Sequence, residues 1–484
     1  MLLATTTCRT LRAAASMCGM RPLVCLYGLA VALWLGTTGV AATAQDAPGA
    51  ELPPAGSAPI VAPDEPTQPV DAATVEADIS AQQLSAAAQI RLDAAREAVV
   101  QIRGFYGGSD SSAFHGSGFA AGDGSQIVTN YHVVAPAVLY PRQYRLEYTA
   151  ADGHRGELQV QAIDVRNDLA IARADDLKLP PLPLRTEIPA QGERAYSIGF
   201  PLDLGLTITE GVANGLVDGS LEQRIHYTGP INAGMSGGPA LDAQGRVYGV
   251  NVSVVTGRQL IGFVVPVKHV PLLLARAHES LEQHHSARQL RELVAAQVLA
   301  HEAEILVPLT GPDARQTLHG YTLPARISSQ VDCHTGSDPR IHQRLRIDML
   351  RCAIPSRLML QFGLMVGGVS MQHQVVRSRA LRPLQFARQL NRLADGPVRG
   401  GSAVHVAPFA CRDALVSLDG FDARITTCVR QYRLFAGLYD FELRLVSIDD
   451  PRRAIVSRLA LQGFGFAPGM QVIERYLGAM QWTR

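Results

Sequence analysis

The sequence predicts a strand-built N-terminal half, a helical connector and a mixed α+β C-terminal half. Three observations carry this. In the N-terminal half, stretches such as residues 143–148 and 158–162 alternate apolar and polar residues, the period of half-buried strands. A serine, Ser236, stands in the glycine-dense stretch 229–239, and no helix opens after it. Beyond Pro266 the apolar residues fall at three- and four-residue steps instead.

At 484 residues the chain is long enough for two or three domains. A net charge of +1 gives no electrostatic case for nucleic acid binding. Residues 1–44 read as a signal peptide: Arg9, Arg12 and Arg21 are basic, residues 23–40 are apolar, and Ala42-Thr43-Ala44 is a small-residue cleavage site. The chain is therefore expected to be periplasmic or secreted, with no stable membrane span after cleavage. An uncleaved membrane anchor is the alternative, because the apolar run is long. Residues 45–74 are rich in Ala, Pro, Asp and Glu and are expected to be a disordered linker. An Ala-rich, helix-prone stretch over 75–97 leads into the strands, which open at Val99-Val100-Gln101-Ile102.

A glycine cluster marks a backbone in conformations other residues avoid, or one that must approach something closely. A nucleophilic serine needs both, since backbone N–H groups beside it must converge on a developing oxyanion. The N–H groups of Gly234 and Ser236 are the natural donors. Gly-x-Ser-x-Gly alone also fits the strand-turn-helix elbow of α/β-hydrolases. Residues 239–246 read as a turn, however, and 247–252 as a strand, so partners are sought upstream in the order His, Asp, Ser. His132 closes the apolar run 127–134, read as a strand, and Asp168 precedes the strand-like Leu169-Ala170-Ile171-Ala172.

With Gly116-Ser117-Gly118-Phe119, Thr129-Asn130-Tyr131-His132-Val133, Asp168-Leu169-Ala170 and Gly234-Met235-Ser236-Gly237-Gly238-Pro239 in this order, the segment resembles trypsin-like serine peptidases of the HtrA (Deg) type. Ser197-Ile198-Gly199-Phe200-Pro201 and Ile261-Gly262-Phe263-Val264-Val265-Pro266 extend the resemblance over about residues 98–268. It implies an all-β double barrel over 75–268, split near residues 182–191. It also implies a catalytic triad of His132, Asp168 and Ser236 at the seam, needing no metal or other cofactor. The implied substrate pocket is lined by Pro230, Ile231, Asn232, Ala233, Asn251, Val252 and Ser253. None of these is charged, so small aliphatic side chains are expected before the cut. Polypeptides are the implied partners, unfolded envelope proteins above all, and many such peptidases are homo-oligomers. Met235 departs from the Asn usual in this family. A protease-fold binding or chaperone-like module with little turnover is the alternative.

Residues 269–306 read as a helical connector, one long helix or a bent pair. No PDZ-like carboxylate loop is recognisable after it. Residues 307–484 read as a separate α+β domain of unknown type, with strands at 345–350, 358–362, 441–446 and 454–456 and a closing helix over 472–480. Of seven cysteines, Cys333, Cys352, Cys411 and Cys428 lie beyond the signal. No Cys-x-x-Cys pattern favours zinc, and export favours disulfides. Three connectivities are open, of which the two sequence-local pairs are preferred. The similar spacing of those pairs is what a divergent internal duplication would leave.

Overall fold

Two closed antiparallel barrels of six strands follow one another along the chain. The computed structural model describes residues 86–483, apart from 202–203, 219–221, 253–261, 281–285, 307–314, 326–330, 339–343, 355–357, 362 and 396–401. The signal and linker readings, and the start of the expected N-terminal helix, lie outside the described residues. From Ala86 the helix is present as α1 (Ala86–Arg96). It buries Leu92 and Ala95 in a core that draws on both barrels, through Phe119 and Ile171 of the first and Ile198 and Leu241 of the second.

The first barrel comprises β1 (Val99–Tyr106), β2 (Ser112–Ala121), β3 (Gln126–Thr129), β4 (Tyr144–Thr149), β5 (Arg155–Asp164) and β6 (Leu169–Arg173), joined in the order β1-β2-β3-β6-β5-β4. Residues 127–134 are not one strand. The strand stops at Thr129, and His132 lies in α2 (Tyr131–Leu139). A β-branched run does not separate the two readings. Tertiary contact does, because Val134 and Val138 enter the barrel core only from a helix.

The second barrel comprises β7 (Glu193–Gly199), β8 (Thr207–Leu216), β9 (Ile225–Tyr227), β10 (Pro239–Asp242), β11 (Val247–Val252) and β12 (Gly262–Pro266). Residues 239–242, read as part of a turn, are instead a strand paired with both β11 and β7. Pro239 is tolerated because it is the strand's first residue.

The connector is a bent pair, α3 (Val270–Ser280) and α4 (Ala287–Leu306). Beyond it, β13 (Arg315–Leu318) and β14 (Tyr321–Pro324) form a small sheet with the last strand. A larger sheet has seven strands: β15 (Asp332–Ser337), β16 (Leu345–Ala353), β19 (Val369–Ser378), β20 (Ala410–Leu418), β21 (Phe421–Gln431), β22 (Tyr439–Ser447) and β23 (Arg453–Phe464). Its order is β15-β16-β19-β23-β22-β21-β20. A separate hairpin pairs β17 (Leu358–Gln361) with β18 (Leu364–Val366). The closing helix, α6 (Phe466–Gly478), starts earlier than expected, and β24 (Gln481–Trp482) ends the chain against β14. Among the described residues no helix is long and apolar enough to cross a membrane.

Both sequence-local disulfides are present, Cys333–Cys352 and Cys411–Cys428, each joining directly opposed residues of neighbouring strands. Helix α5 (Pro383–Ala394) packs on Ala454 and Val456 of β23, whereas α6 packs in the core containing Ile455 and Leu459 of the same strand. Alternate residues face opposite sides of a sheet.

The C-terminal half is less separate than its sequence suggested. The first barrel's core runs on through Val294 and Val298 of α4, Leu358 and Leu360 of β17, and Phe435. Glu302 of α4 is buried at this junction, where its Oε2 accepts the Gly465 N–H at 2.8 Å. Burial pushes its carboxyl up to about 7, against a smaller lowering by that hydrogen bond. A carboxyl whose folded pKa is raised contributes stability at low pH that is lost as pH rises from about 4.5 through about 7. The urea midpoint of the native chain should therefore fall between pH 5 and 8. Glu302→Gln should flatten that dependence; an equally steep dependence in the variant would refute the assignment.

Candidate active site

Asp168 and the start of α2 are built as one unit. Asn130, the residue before the helix, makes no side-chain cap and instead donates its Nδ2 to the Asp168 carbonyl at 2.8 Å. The Asp168 carboxylate fills the vacant role. Its Oδ1 accepts the His132 backbone N–H at 2.9 Å, and its Oδ2 lies 2.7 Å from His132 Nδ1. Helix N-termini carry unsatisfied N–H groups and a partial positive charge, so an anion there is stabilised twice over. Asp168 adopts φ 59°, a left-handed conformation that Asp tolerates better than most residues. Burial lowers the proton affinity of His132. The charge and hydrogen bond of Asp168 outweigh this, so the imidazole pKa is raised above its usual 6.5, with Arg224 opposing.

Ser236 comes from the loop before β10, and β2 holds it against α2. The Ser236 carbonyl accepts the Ser117 N–H at 2.8 Å. Ser117 Oγ donates to the Gly234 carbonyl at 2.7 Å and accepts the Phe200 N–H at 3.0 Å. Gly116 lies where nothing larger fits. A β-carbon there would stand 2.6 Å from Val133, the neighbour of His132, and 3.3 Å from the Ser236 carbonyl oxygen. Gly234 has φ 96°, and a β-carbon on it would meet the Phe200 carbonyl at 2.3 Å. Between Gly234 and Ser236 the Met235 side chain is fully buried in the second barrel's core, with Tyr227, Ile231 and Tyr248. Among the described residues, the N–H groups of Gly234 and Ser236 have no acceptor.

The expected pocket residues divide. Pro230, Asn232 and Ala233 are exposed, and Ile231 is buried. Asn251 is turned inward, contrary to expectation. It is fully buried and donates Nδ2 to the Ile198 carbonyl at 3.1 Å, which ties β11 to β7 and leaves it no lining surface. Val252 is half-buried, and Ser253 lies outside the described residues.

Comparison with known proteins agrees with this architecture. Residues 116–250 match the model of the trypsin-like peptidase domain. These residues form a trypsin-like peptidase domain similar to those of HtrA-type proteases. A relative named "Probable periplasmic serine endoprotease DegP-like", from Chlamydia trachomatis, is 34% identical over 165 residues, 32% of this chain and 32% of its own length. Serine protease HTRA1B of Danio rerio is 32% identical over 174 residues, 34% of this chain and 35% of its own length. The chain thus spans about a third of the length of these relatives. A solved structure, the serine endoprotease from Yersinia pestis, is 25% identical over 41% of this chain and 68% of that one, with a TM-score of 0.36.

Within the peptidase domain, the sequence marked the motifs but not the work of their smaller members. Ser117 and Asn130 bind the two halves of the site. Thr129 donates to the Ser117 carbonyl at 2.7 Å. Their place inside the motifs was the only signal. Arg224 acts on His132 through charge alone and carried none. Ser117→Ala should leave the Gly234 carbonyl and Phe200 N–H unpaired. Unsatisfied buried groups cost about 1–3 kcal/mol each. Labelling of Ser236 by a fluorophosphonate should slow by roughly ten- to hundred-fold; labelling at the native rate would show that the loop does not depend on this tie.

Proposed function

We propose that the chain is an exported serine endopeptidase that hydrolyses peptide bonds with His132, Asp168 and Ser236. The observation that most supports this is the doubly bonded Asp168–His132 pair beside a serine loop with two unpaired N–H groups. His132 takes the Ser236 proton as the hydroxyl attacks the peptide carbonyl, then delivers it to the leaving amine. Asp168 fixes the imidazole tautomer, because its carboxylate can only accept the Nδ1 proton, and it stabilises the imidazolium. The Gly234 and Ser236 N–H groups hold the oxyanion, where each donor typically lowers the barrier by about 2.7–4 kcal/mol. The reaction so written needs no metal.

Ser236→Ala and His132→Ala should each abolish hydrolysis of denatured casein to a similar level, since the residues act as a unit. Because the base must be neutral and its pKa is raised, the acid limb of kcat/KM should lie above pH 6.5. Native-rate turnover by purified Ser236→Ala would overturn the mechanism.

The substrate class follows from the pocket. Pro230, Ile231, Asn232 and Ala233 offer neither a carboxylate for Lys or Arg nor a cation for Asp or Glu. Small aliphatic residues are the proposed choice before the cut, graded because a methylene is worth only about 1–3 kcal/mol. Such residues are buried in folded proteins, so unfolded envelope chains are the proposed substrates. The arginine-flanked apolar stretch within residues 1–44 and the two disulfides support an exported location. Sequencing fragments of a denatured substrate should give cuts mainly after Val, Ala, Ile or Leu; cuts mainly after Lys or Arg would refute the pocket.

A further inference from the structure

The two first-barrel members of the site are both held from outside the barrel. Tyr131, next to His132, is fully buried, and its hydroxyl donates to the Leu360 carbonyl of the β17–β18 hairpin at 2.9 Å. The far end of the same helix is gripped too, where Arg291 of α4 donates to the Leu139 carbonyl at 2.6 Å. The turn that presents Asp168 is treated in the same way. Asp164 closes it, accepting the Asn167 N–H at 3.0 Å and its Nδ2 at 2.8 Å. The Gln297 amide of α4 spans the strand leading into that turn. Its Nε2 donates to the Ile163 carbonyl at 3.0 Å, and its Oε1 accepts the Val165 N–H at 2.8 Å. The Asp164–Asn167 pair belongs to the barrel itself; the other contacts come from α4 and the hairpin.

We infer that α4 and the β17–β18 hairpin align His132 with Asp168, with Tyr131 and Gln297 as positioning residues, so that the C-terminal half sets the turnover of a site to which it gives no reacting group. The inference rests on the peptidase reading. A positioning requirement follows from the 2.7 Å bond between His132 and Asp168, since small misplacements of a reacting group cost rate steeply. A helix of nine residues is marginal on its own and depends on what it packs against. With its first residue tied to the hairpin and its last turn to α4, its orientation is fixed at both ends beyond what the packing of Val134 and Val138 in the barrel core supplies. This differs from simple bracing of the fold, because one element, α4, holds the carriers of both His132 and Asp168.

The test uses the full chain, with Tyr131→Phe and Gln297→Ala as separate variants. Ser236 sites are counted by fluorophosphonate labelling at completion, and kcat and KM for denatured casein are expressed per labelled site. In parallel, the low-field proton resonance of His132 Nδ1–H is titrated. For each variant, kcat per site should fall about tenfold, the scale of one buried hydrogen bond lost in the transition state, with KM changed less than twofold. The resonance midpoint should move to lower pH as the hold of Asp168 on the imidazole loosens. Variants that label fewer sites but keep native kcat per site and the native midpoint would reduce both residues to a structural role and overturn the inference. If Tyr131→Phe fails to fold, Gln297→Ala carries the test. Absence of turnover in the wild-type chain would instead sink the peptidase reading, while the resonance still decides whether the C-terminal half positions His132.

Discussion

The site depends on one carboxylate accepting two hydrogen bonds from one residue. Asp168 takes both the backbone N–H and the ring N–H of His132, so the start of a helix and the plane of an imidazole are set together. Several local costs follow from that pairing. Asp168 takes a left-handed backbone, and Asn130 gives up the capping role its side chain would normally fill. Strain of this kind persists where surrounding structure over-determines it. Here the surroundings are the Asp164–Asn167 turn, the Asn130–Asp168 bond and the Gln297 bridge.

The serine is held by different means. Its loop is pinned by a hydroxyl, Ser117, and by the burial of Met235 among the aromatic and aliphatic side chains of the second barrel. The Met235 side chain, between the two N–H donors, is buried in the second barrel's core and so fixes the loop at that point. Strand β2 is the common wall. It bonds the serine loop on one side and packs Gly116 against Val133 on the other.

Motifs were legible in the sequence because their chemistry constrains residue type. The glycines around Ser236, the carboxylate before β6 and the histidine after β3 could be read directly, as could the strand-built fold. Two kinds of feature could not. The run 127–134 is equally apolar as strand or helix, and only the core contacts of Val134 and Val138 and the carboxylate at its N-terminus settle it. Asn251 sits where a lining residue is expected, but a polar side chain in a strand gives no sign of facing the Ile198 carbonyl. The grip on α2 was equally hidden, since Tyr131 and Leu360 are 229 residues apart and neither stands out locally.

The two cystines occupy the outermost strand pairs at opposite ends of the seven-stranded sheet. Sheet edges are where a strand peels away most readily and where foreign chains add on. Once cross-linked to the strand beside it, neither β15 nor β20 can peel away from the sheet alone.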